Sequence, residues 1–499
     1  MDSCLTWTWK KTVRNKLRIK NILRGLTSIA LFFCIFVFYH NDIKNWQTSP
    51  DTFSYVGDNY FSNPWGTWRT PGMSLFWSAI GAKDELKKAT RKYHSPVDLN
   101  TQGKKEEKIN SLGKKLVLYN IVLIGASFSL LCFSLSSYMS PIIAFLFSVT
   151  CVYIGATPAP KHILADLPAC SLTVIFVSLS IFYSKYRKNI LLFFICICAV
   201  FACLIKPGMF FLPLIAGCIV AYELLVFIRA RYLKKALITF CIGLFLILGT
   251  LSWPILLYIQ GGIFVPSQLS SISNNMFAVY LLQEGDDHLF TDSKQKAFVA
   301  DLIAHKSEAD AEIDKFVYTT RKRSEASKAH IYLNSVNVYG WRYFASKCIS
   351  HGYNNTSGLE YARLSKKIAN PIIKKHFDEY LKTVGRSFLS AFGAYKDLQD
   401  SLWWRLGLGV HSLGVFIVGY IFLFCAIFFG AKKLQFTLVL LTFLHVASVT
   451  FMSIGHAVLA RYLGITEWSF ILALEVGAYS LLLKIFQQIP AARSIMDRY

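Results

Sequence analysis

Ile22-Leu23-Arg24-Gly25-Leu26-Thr27-Ser28-Ile29-Ala30-Leu31-Phe32-Phe33-Cys34-Ile35-Phe36-Val37-Phe38-Tyr39 is the stretch that decides the fold class. Lys10, Lys11, Arg14, Lys16, Arg18, Lys20 and Arg24 precede its apolar part, Leu26 to Tyr39. A basic flank followed by an apolar run is the layout of a secretory signal, but no small-residue cleavage site follows. The run therefore reads as an uncleaved signal anchor with a cytoplasmic amino terminus. It is short for a span of roughly 20 residues, so Ile22 and Leu23 are counted into it, with Arg24 expected to snorkel to the interface.

The rest of the chain repeats the pattern. Of its 499 residues 54% are hydrophobic and 15% aromatic, and the mean hydropathy is +0.42, more apolar surface than a soluble core requires. Further apolar segments run at about Leu116 to Tyr138, Pro141 to Thr157, Pro168 to Tyr183, Ile190 to Ile205, Gly208 to Ile228 and Ala236 to Tyr258. Three more lie at about Leu406 to Gly430, Leu434 to Ile454 and Trp468 to Phe486. The expected fold is an all-α polytopic membrane protein with about ten transmembrane helices.

Charge sets the expected orientation. The net charge is +24, but Lys and Arg cluster between the apolar segments, where topology and anionic headgroups account for them, so no nucleic-acid partner is expected. Lys185 to Lys188, Arg229 to Lys235 and Lys432-Lys433 fall on the side of the amino terminus if residues 41–115 lie outside. The Lys-rich part of that same loop, Lys83 to Lys115, argues against this placement, although long loops follow the rule poorly. Within it Pro71 to Ala82 is too short to cross a bilayer and reads as an interfacial amphipathic helix. The 12 cysteines lie mostly in apolar runs, as small hydrophobes rather than a disulfide framework. A helix points Cys196 and Cys198 to different sides, which argues against zinc.

Three regions result. Residues 1–258 form an amino-terminal transmembrane catalytic module with the long first extracytoplasmic loop 41–115, and 403–499 hold the last transmembrane helices. Between them, 259–402 carry most of the remaining acids and are long enough for a mainly helical extracytoplasmic domain. Charges alternate at helical spacing over 292–305 and 308–328. Asn354-Asn355-Thr356-Ser357 contains two overlapping glycosylation sequons, relevant only in a eukaryotic source.

The outward loops hold the residues that can carry chemistry. The first reads Ser49-Pro50-Asp51-Thr52-Phe53-Ser54-Tyr55 and then Trp68-Arg69-Thr70-Pro71-Gly72-Met73-Ser74-Leu75-Phe76, placing a carboxylate and a guanidinium at a bilayer surface. Desolvation there can raise the Asp51 pKa toward that of a general base, while Pro50-Asp51-Thr52 is also good capping chemistry. The second loop reads Ala159-Pro160-Lys161-His162-Ile163-Leu164-Ala165-Asp166-Leu167-Pro168. Asp166 is a second acid or a helix cap, and Lys161 and His162 are substrate contacts or interfacial anchors. Lys206-Pro207-Gly208 puts a cation at a turn, for a phosphate or as a snorkelling helix end. In the last outward turn, Gly455-His456-Ala457-Val458-Leu459-Ala460-Arg461-Tyr462, the Arg461 fork suits a phosphate.

The early Asp51, Tyr55, Arg69 and Pro71 resemble the first extracytoplasmic loop of the C-type polytopic glycosyltransferases, a superfamily that includes the protein O-mannosyltransferases and the lipid A aminoarabinose transferases. The resemblance covers roughly Thr27 to Tyr258 plus the Arg461 turn, and the Pro that usually follows Arg-Tyr in the superfamily is absent here. It implies a membrane glycosyltransferase using a polyprenyl-phosphate-linked sugar and a glycan, lipid or protein acceptor, with inversion. Asp51 and Asp166 would be the catalytic acids, with Tyr55, Arg69, Lys161, His162, Lys206, His456, Arg461 and Tyr462 binding substrate. Relatives differ over a divalent cation, so no cofactor or metal ligand is assigned. The expected location is a bacterial inner membrane with the site facing the periplasm. Two other classes compete, an O-antigen polymerase or ligase and a transporter or flippase built on the intramembrane acids Glu223 and Glu475.

Overall fold

The computed structural model describes residues 2–48, 52, 70–93, 96–154, 158–267, 270–318, 336–353, 358–391, 413–455 and 465–489. The chain is an all-α membrane protein, with no strand among the described residues beyond one isolated backbone bridge, Gln47 to His162. Among the described residues seven helices are long and apolar enough to cross a membrane, and three shorter apolar ones, Pro141–Tyr153, Asn189–Ile205 and Phe416–Phe429, accompany them. All ten sit where the hydropathy of the sequence puts apolar segments.

The helices are α1 (Asp2–Tyr39), α2 (Gly72–Ala79), α3 (Lys83–Tyr93), α4 (Pro96–Thr101), α5 (Glu107–Leu135), α6 (Pro141–Ile154), α7 (Asp166–Tyr186), α8 (Asn189–Ile205), α9 (Phe211–Arg229) and α10 (Leu233–Gly261). There follow α11 (Ser270–Leu281), α12 (Ser293–Ala304), α13 (Lys306–Tyr318), α14 (Phe344–Ser350), α15 (Gly358–Lys375), α16 (Phe377–Ala391), α17 (Leu413–Phe429), α18 (Lys432–Gly455) and α19 (Glu467–Gln488). In the bundle α1 packs on α5, α5 on α7, α7 on α8, and α17 and α18 on α19. At the centre, α7 hides its hydroxyls by bonding them back along its own backbone: Thr173 to the Ala169 carbonyl at 2.8 Å, Ser178 to Val174 at 2.7 Å and Ser180 to Phe176 at 2.8 Å. Such small side chains let apolar helices approach closely.

The two ends of the bundle differ. At one end Arg24 does not snorkel outward as expected; it is buried, and its Nε and Nη2 both donate to the Ser136 carbonyl, at 2.9 and 2.6 Å. That carbonyl lies beyond the last turn of α5, where it lacks a helical partner, so a bidentate bond inside the bundle outweighs exposure to headgroups. Lys185 donates to the Ser137 carbonyl at 3.1 Å, and Lys20 lies within electrostatic reach of Arg24 and Lys433. Two of the connections expected to share the side of the amino terminus, 185–188 and 432–433, thus converge there.

At the other end lie the first and second loops and a second apolar core. Helices α11 to α15, with a π-helical turn Val336–Tyr343, bury Met276, Phe298, Phe344, Tyr361 and Ile368 in a cluster separate from the bundle core. The first helical segment expected in this region is α12 and the second begins as α13, while its residues 319–328 lie outside the described residues. α16 leads back to the bundle, where the Tyr380 hydroxyl donates to the Ile454 carbonyl at 3.2 Å. The sequons at 354–357 and the start of the segment at Leu406 lie outside the described residues.

Candidate functional site

Half-buried Lys206 and buried Asp166 form an ion pair at this second end. The position of the lysine follows from its neighbour. Pro207 disfavours helical backbone at the residue before it, so α8 stops at Ile205 and Lys206 turns extended, at φ −145° and ψ 110°. Its backbone still caps the helix, N–H to the Ala202 carbonyl at 2.8 Å, while the side chain leaves the helix axis for Asp166. Asp166 stands in the first turn of α7, where the helix dipole favours a carboxylate, with Pro168 two residues on, where no backbone N–H is missed. Asp166 thus lies inside the first turn of α7, with Ala165 rather than Asp166 at the cap position, and the Lys206 side chain points to a carboxylate.

The loop before Asp166 is clamped from two sides. Gln47 pairs with it as a parallel bridge: its N–H donates to the Lys161 carbonyl at 2.8 Å, and the Ile163 N–H donates to the Gln47 carbonyl at 3.0 Å. Thr52 is fully buried, and its hydroxyl donates to the Ile163 carbonyl at 2.6 Å. From inside the bundle, Asn120 on α5 donates to the Pro160 carbonyl at 3.0 Å and the His162 carbonyl at 3.4 Å. The backbone of Lys161 and His162 is therefore fixed, which an interfacial anchor would not need. Burial first, and then the charge of Lys161, pushes the His162 imidazole below its ordinary value of 6.5, against the opposing pull of Asp42 and Asp166.

Two glycines bring the first loop into place. A Cβ on Gly72 would meet the Leu204 carbonyl carbon and oxygen at 2.4 Å and the Ile205 nitrogen at 2.5 Å, so α2 can seat only glycine against the end of α8. The helix expected to float at the interface is packed instead, with Met73, Ser74 and Trp77 buried. A Cβ on Gly113 would meet the Trp46 ring at 2.3 Å. The Trp46 Nε1–H donates to Asn110 at 3.1 Å, and Thr48 exchanges bonds with Asn100, its N–H to Oδ1 at 2.8 Å and Nδ2 to its carbonyl at 2.9 Å.

Asp51, Tyr55, Arg69, His456, Arg461 and Tyr462 lie outside the described residues. Their described neighbours in the chain do not scatter. Thr52, next to Asp51, is tied three residues before Asp166; Thr70, next to Arg69, is buried two residues from Gly72 on the α8 end. The end of α18 packs on the Pro207–Met209 turn, with Phe451 and Phe211 at 6.5 Å. Ile465, past the last turn, accepts from Trp468 Nε1 at 2.8 Å.

Three groups at this end escaped the sequence reading. Asn120 and Gln47 hold the second loop, and neither residue type in its context signals a contact so far along the chain. Glu467 opens α19, is buried, and its Oε2 has no hydrogen-bond partner among the described residues; a lone acid at the head of an apolar segment is its only sequence signal. The two acids behind a transporter reading each have one partner, although Glu475 Oε2, like that of Glu467, is buried with no hydrogen-bond partner among the described residues. Glu223 pairs with Arg187, a helix-end residue at φ 49°, and Glu475 accepts from the Thr150 hydroxyl. No group of three or more His, Cys, Asp or Glu placed to hold a metal ion occurs among the described residues. No protein-family model, curated protein or solved structure matches the chain.

Proposed function

We propose that the chain is a membrane glycosyltransferase that moves a monosaccharide from a polyprenyl-phosphate carrier to a glycan, lipid or protein acceptor on the extracytoplasmic face. The observation that carries this reading is the largely buried Asp166–Lys206 pair, set where the flanks of Asp51, Arg69 and the 456–462 turn also gather. A paired acid and base at the bundle end, between apolar helices, suits a donor whose tail lies in lipid and whose head is a phosphate.

In this proposal the acceptor oxygen attacks the anomeric carbon and its proton passes to Asp51. The bond from that carbon to the phosphate oxygen breaks on the opposite face, which inverts the centre, and the polyprenyl phosphate departs with the electron pair. Arg69, Lys206 and Arg461 hold the phosphate, Asp166 keeps Lys206 in place until it arrives, and His162, Lys161, Tyr55, His456 and Tyr462 line the approach. All ten apolar helices are counted as spans, both termini are cytoplasmic, residues 259–402 select the acceptor, and the membrane is a bacterial inner membrane with the site toward the periplasm.

The test is donor choice by the purified full-length protein in liposomes. Transfer from a polyprenyl phosphosugar, with none from the matching nucleotide sugar, is the expected result. Equal use of the soluble nucleotide sugar would remove the proposal.

A further inference from the structure

The bundle carries basic residues at both of its ends. The cluster around Lys20, Arg24, Lys185 and Lys433 is the expected one. The other is the insert α3 to the first turns of α5, which shares the end of the Asp166–Lys206 pair: Trp46 and Ile163 pack into one small apolar recess with Leu86, Leu99 and Leu112 of the insert. Between Lys83 and Lys115 ten Lys and Arg face five Asp and Glu. Glu106 is engaged by Lys92 and Tyr93, which leaves a surplus of cations on the surface.

The placement of that surplus on α5 says what it meets. Lys108, Ser111, Lys114, Lys115, Leu118, Tyr119 and Val122 are all exposed, and the spacing Lys108, Ser111, Lys115, Leu118, Val122 follows a single helix face. The lower part of that face is apolar and belongs to a helix that is long and hydrophobic enough to span a bilayer. At 1.5 Å per residue, Lys115 stands about 4.5 Å above Leu118 and Lys108 about 15 Å above it. Lys115 lies over the Tyr119 ring, 5.9 Å from its centroid, the pairing of aromatic and cation that marks the edge of the hydrocarbon layer. The lysines therefore stand at headgroup depth on a face that lipid already covers below. Glu107 is the one exposed acid on these turns.

We propose that Lys108, Lys114 and Lys115 form a docking surface for anionic lipid headgroups of the leaflet at this end. Clusters of Lys at the mouth of a span attract anionic lipid, and the contact requires no glycosyl transfer, so it stands or falls apart from the proposed function.

A local reporter tests it. Leu118→Cys is introduced in a full-length background whose other cysteines are replaced, labelled with a fluorophore, and reconstituted in phosphatidylcholine vesicles. Equal small fractions of either phosphatidylglycerol or phosphatidylcholine carry a quencher near the top of the acyl chain, leaving the headgroup charge intact. The expected result is ~3-fold more quenching by the anionic lipid, lost in K108Q/K114Q/K115Q and on raising salt, which screens exposed charges. A reporter at Leu237→Cys beside Lys234 and Lys235 should not respond to the same triple substitution. Equal quenching by the two lipids in the unsubstituted protein, or a preference that survives the triple substitution, would overturn the proposal.

Discussion

Lys206 leaves its helix because Pro207 follows it, and it finds Asp166 because α7 begins there with its dipole turned to a carboxylate. K206M takes the cation from the buried Asp166 carboxylate, at a cost of roughly 3–5 kcal/mol, so it should unfold the protein at lower temperature, and D166N, which removes the charge that Lys206 faces, should do the same. Replacing both, as D166L/K206M, should restore much of the melting temperature because apolar residues of similar volume substitute well for buried pairs. Thermal unfolding of the three variants beside sugar transfer separates the roles: the proposal expects the stable double variant to be inactive. A double variant that both melts and transfers as the unsubstituted protein does would make the pair purely structural. His162 supplies a pH dependence. Its folded pKa lies below 6.5, so the unfolded chain binds the extra proton first as pH falls. Its contribution is whole above 6.5 and is lost as pH falls from there through the depressed folded value. Unfolding followed from pH 7.5 to 5 should show a step that H162Q lacks, and an identical profile in H162Q would contradict it.

Among elements, the apolar helices were legible from hydropathy and Lys spacing, and the short helix at residue 72 from its inability to span. What no local pattern carries is contact across the chain. The bridge from Gln47 to His162, the Thr52 bond to Ile163, the Asn120 clamp and the pairing of Asp166 with Lys206 join segments that periodicity treats as separate. Arg24 was misplaced for the same reason: an arginine at a span edge reads as a snorkel unless the free carbonyl of Ser136 is known to be beside it. The packed helix α2 offers a test at this scale. G72A sets a methyl into the backbone at the end of α8, which overpacking data put at roughly 1–3 kcal/mol. It should lower both melting temperature and transfer, whereas G81A, with no atom near its Cβ but a φ of +68°, should affect stability through backbone strain alone. Transfer by a stably folded G72A at the unsubstituted rate would show that the seat of α2 on the end of α8 does not matter to the reaction.

For the whole molecule, composition alone placed the chain in a membrane, and the structure divides its loops between two ends. The side each end faces is open to experiment. Single cysteines at Asn45 and Ser293 should react with an impermeant thiol reagent from one side of the membrane and a cysteine at Lys234 from the other; Asn45 and Ser293 labelling from opposite sides would separate the first loop from the second core. In the proposed reaction the proton passes to Asp51. Asp51→Asn keeps the shape and the capping ability of the side chain, since Asn and Asp cap helices about equally, but removes the charge and the basicity. The most direct measurement is therefore sugar transfer by purified Asp51→Asn in liposomes, at matched amounts of folded protein and with a polyprenyl phosphosugar as donor. The proposal predicts a fall of roughly 10²-fold to 10⁴-fold with insertion and melting temperature unchanged, and transfer at the unsubstituted rate would contradict it.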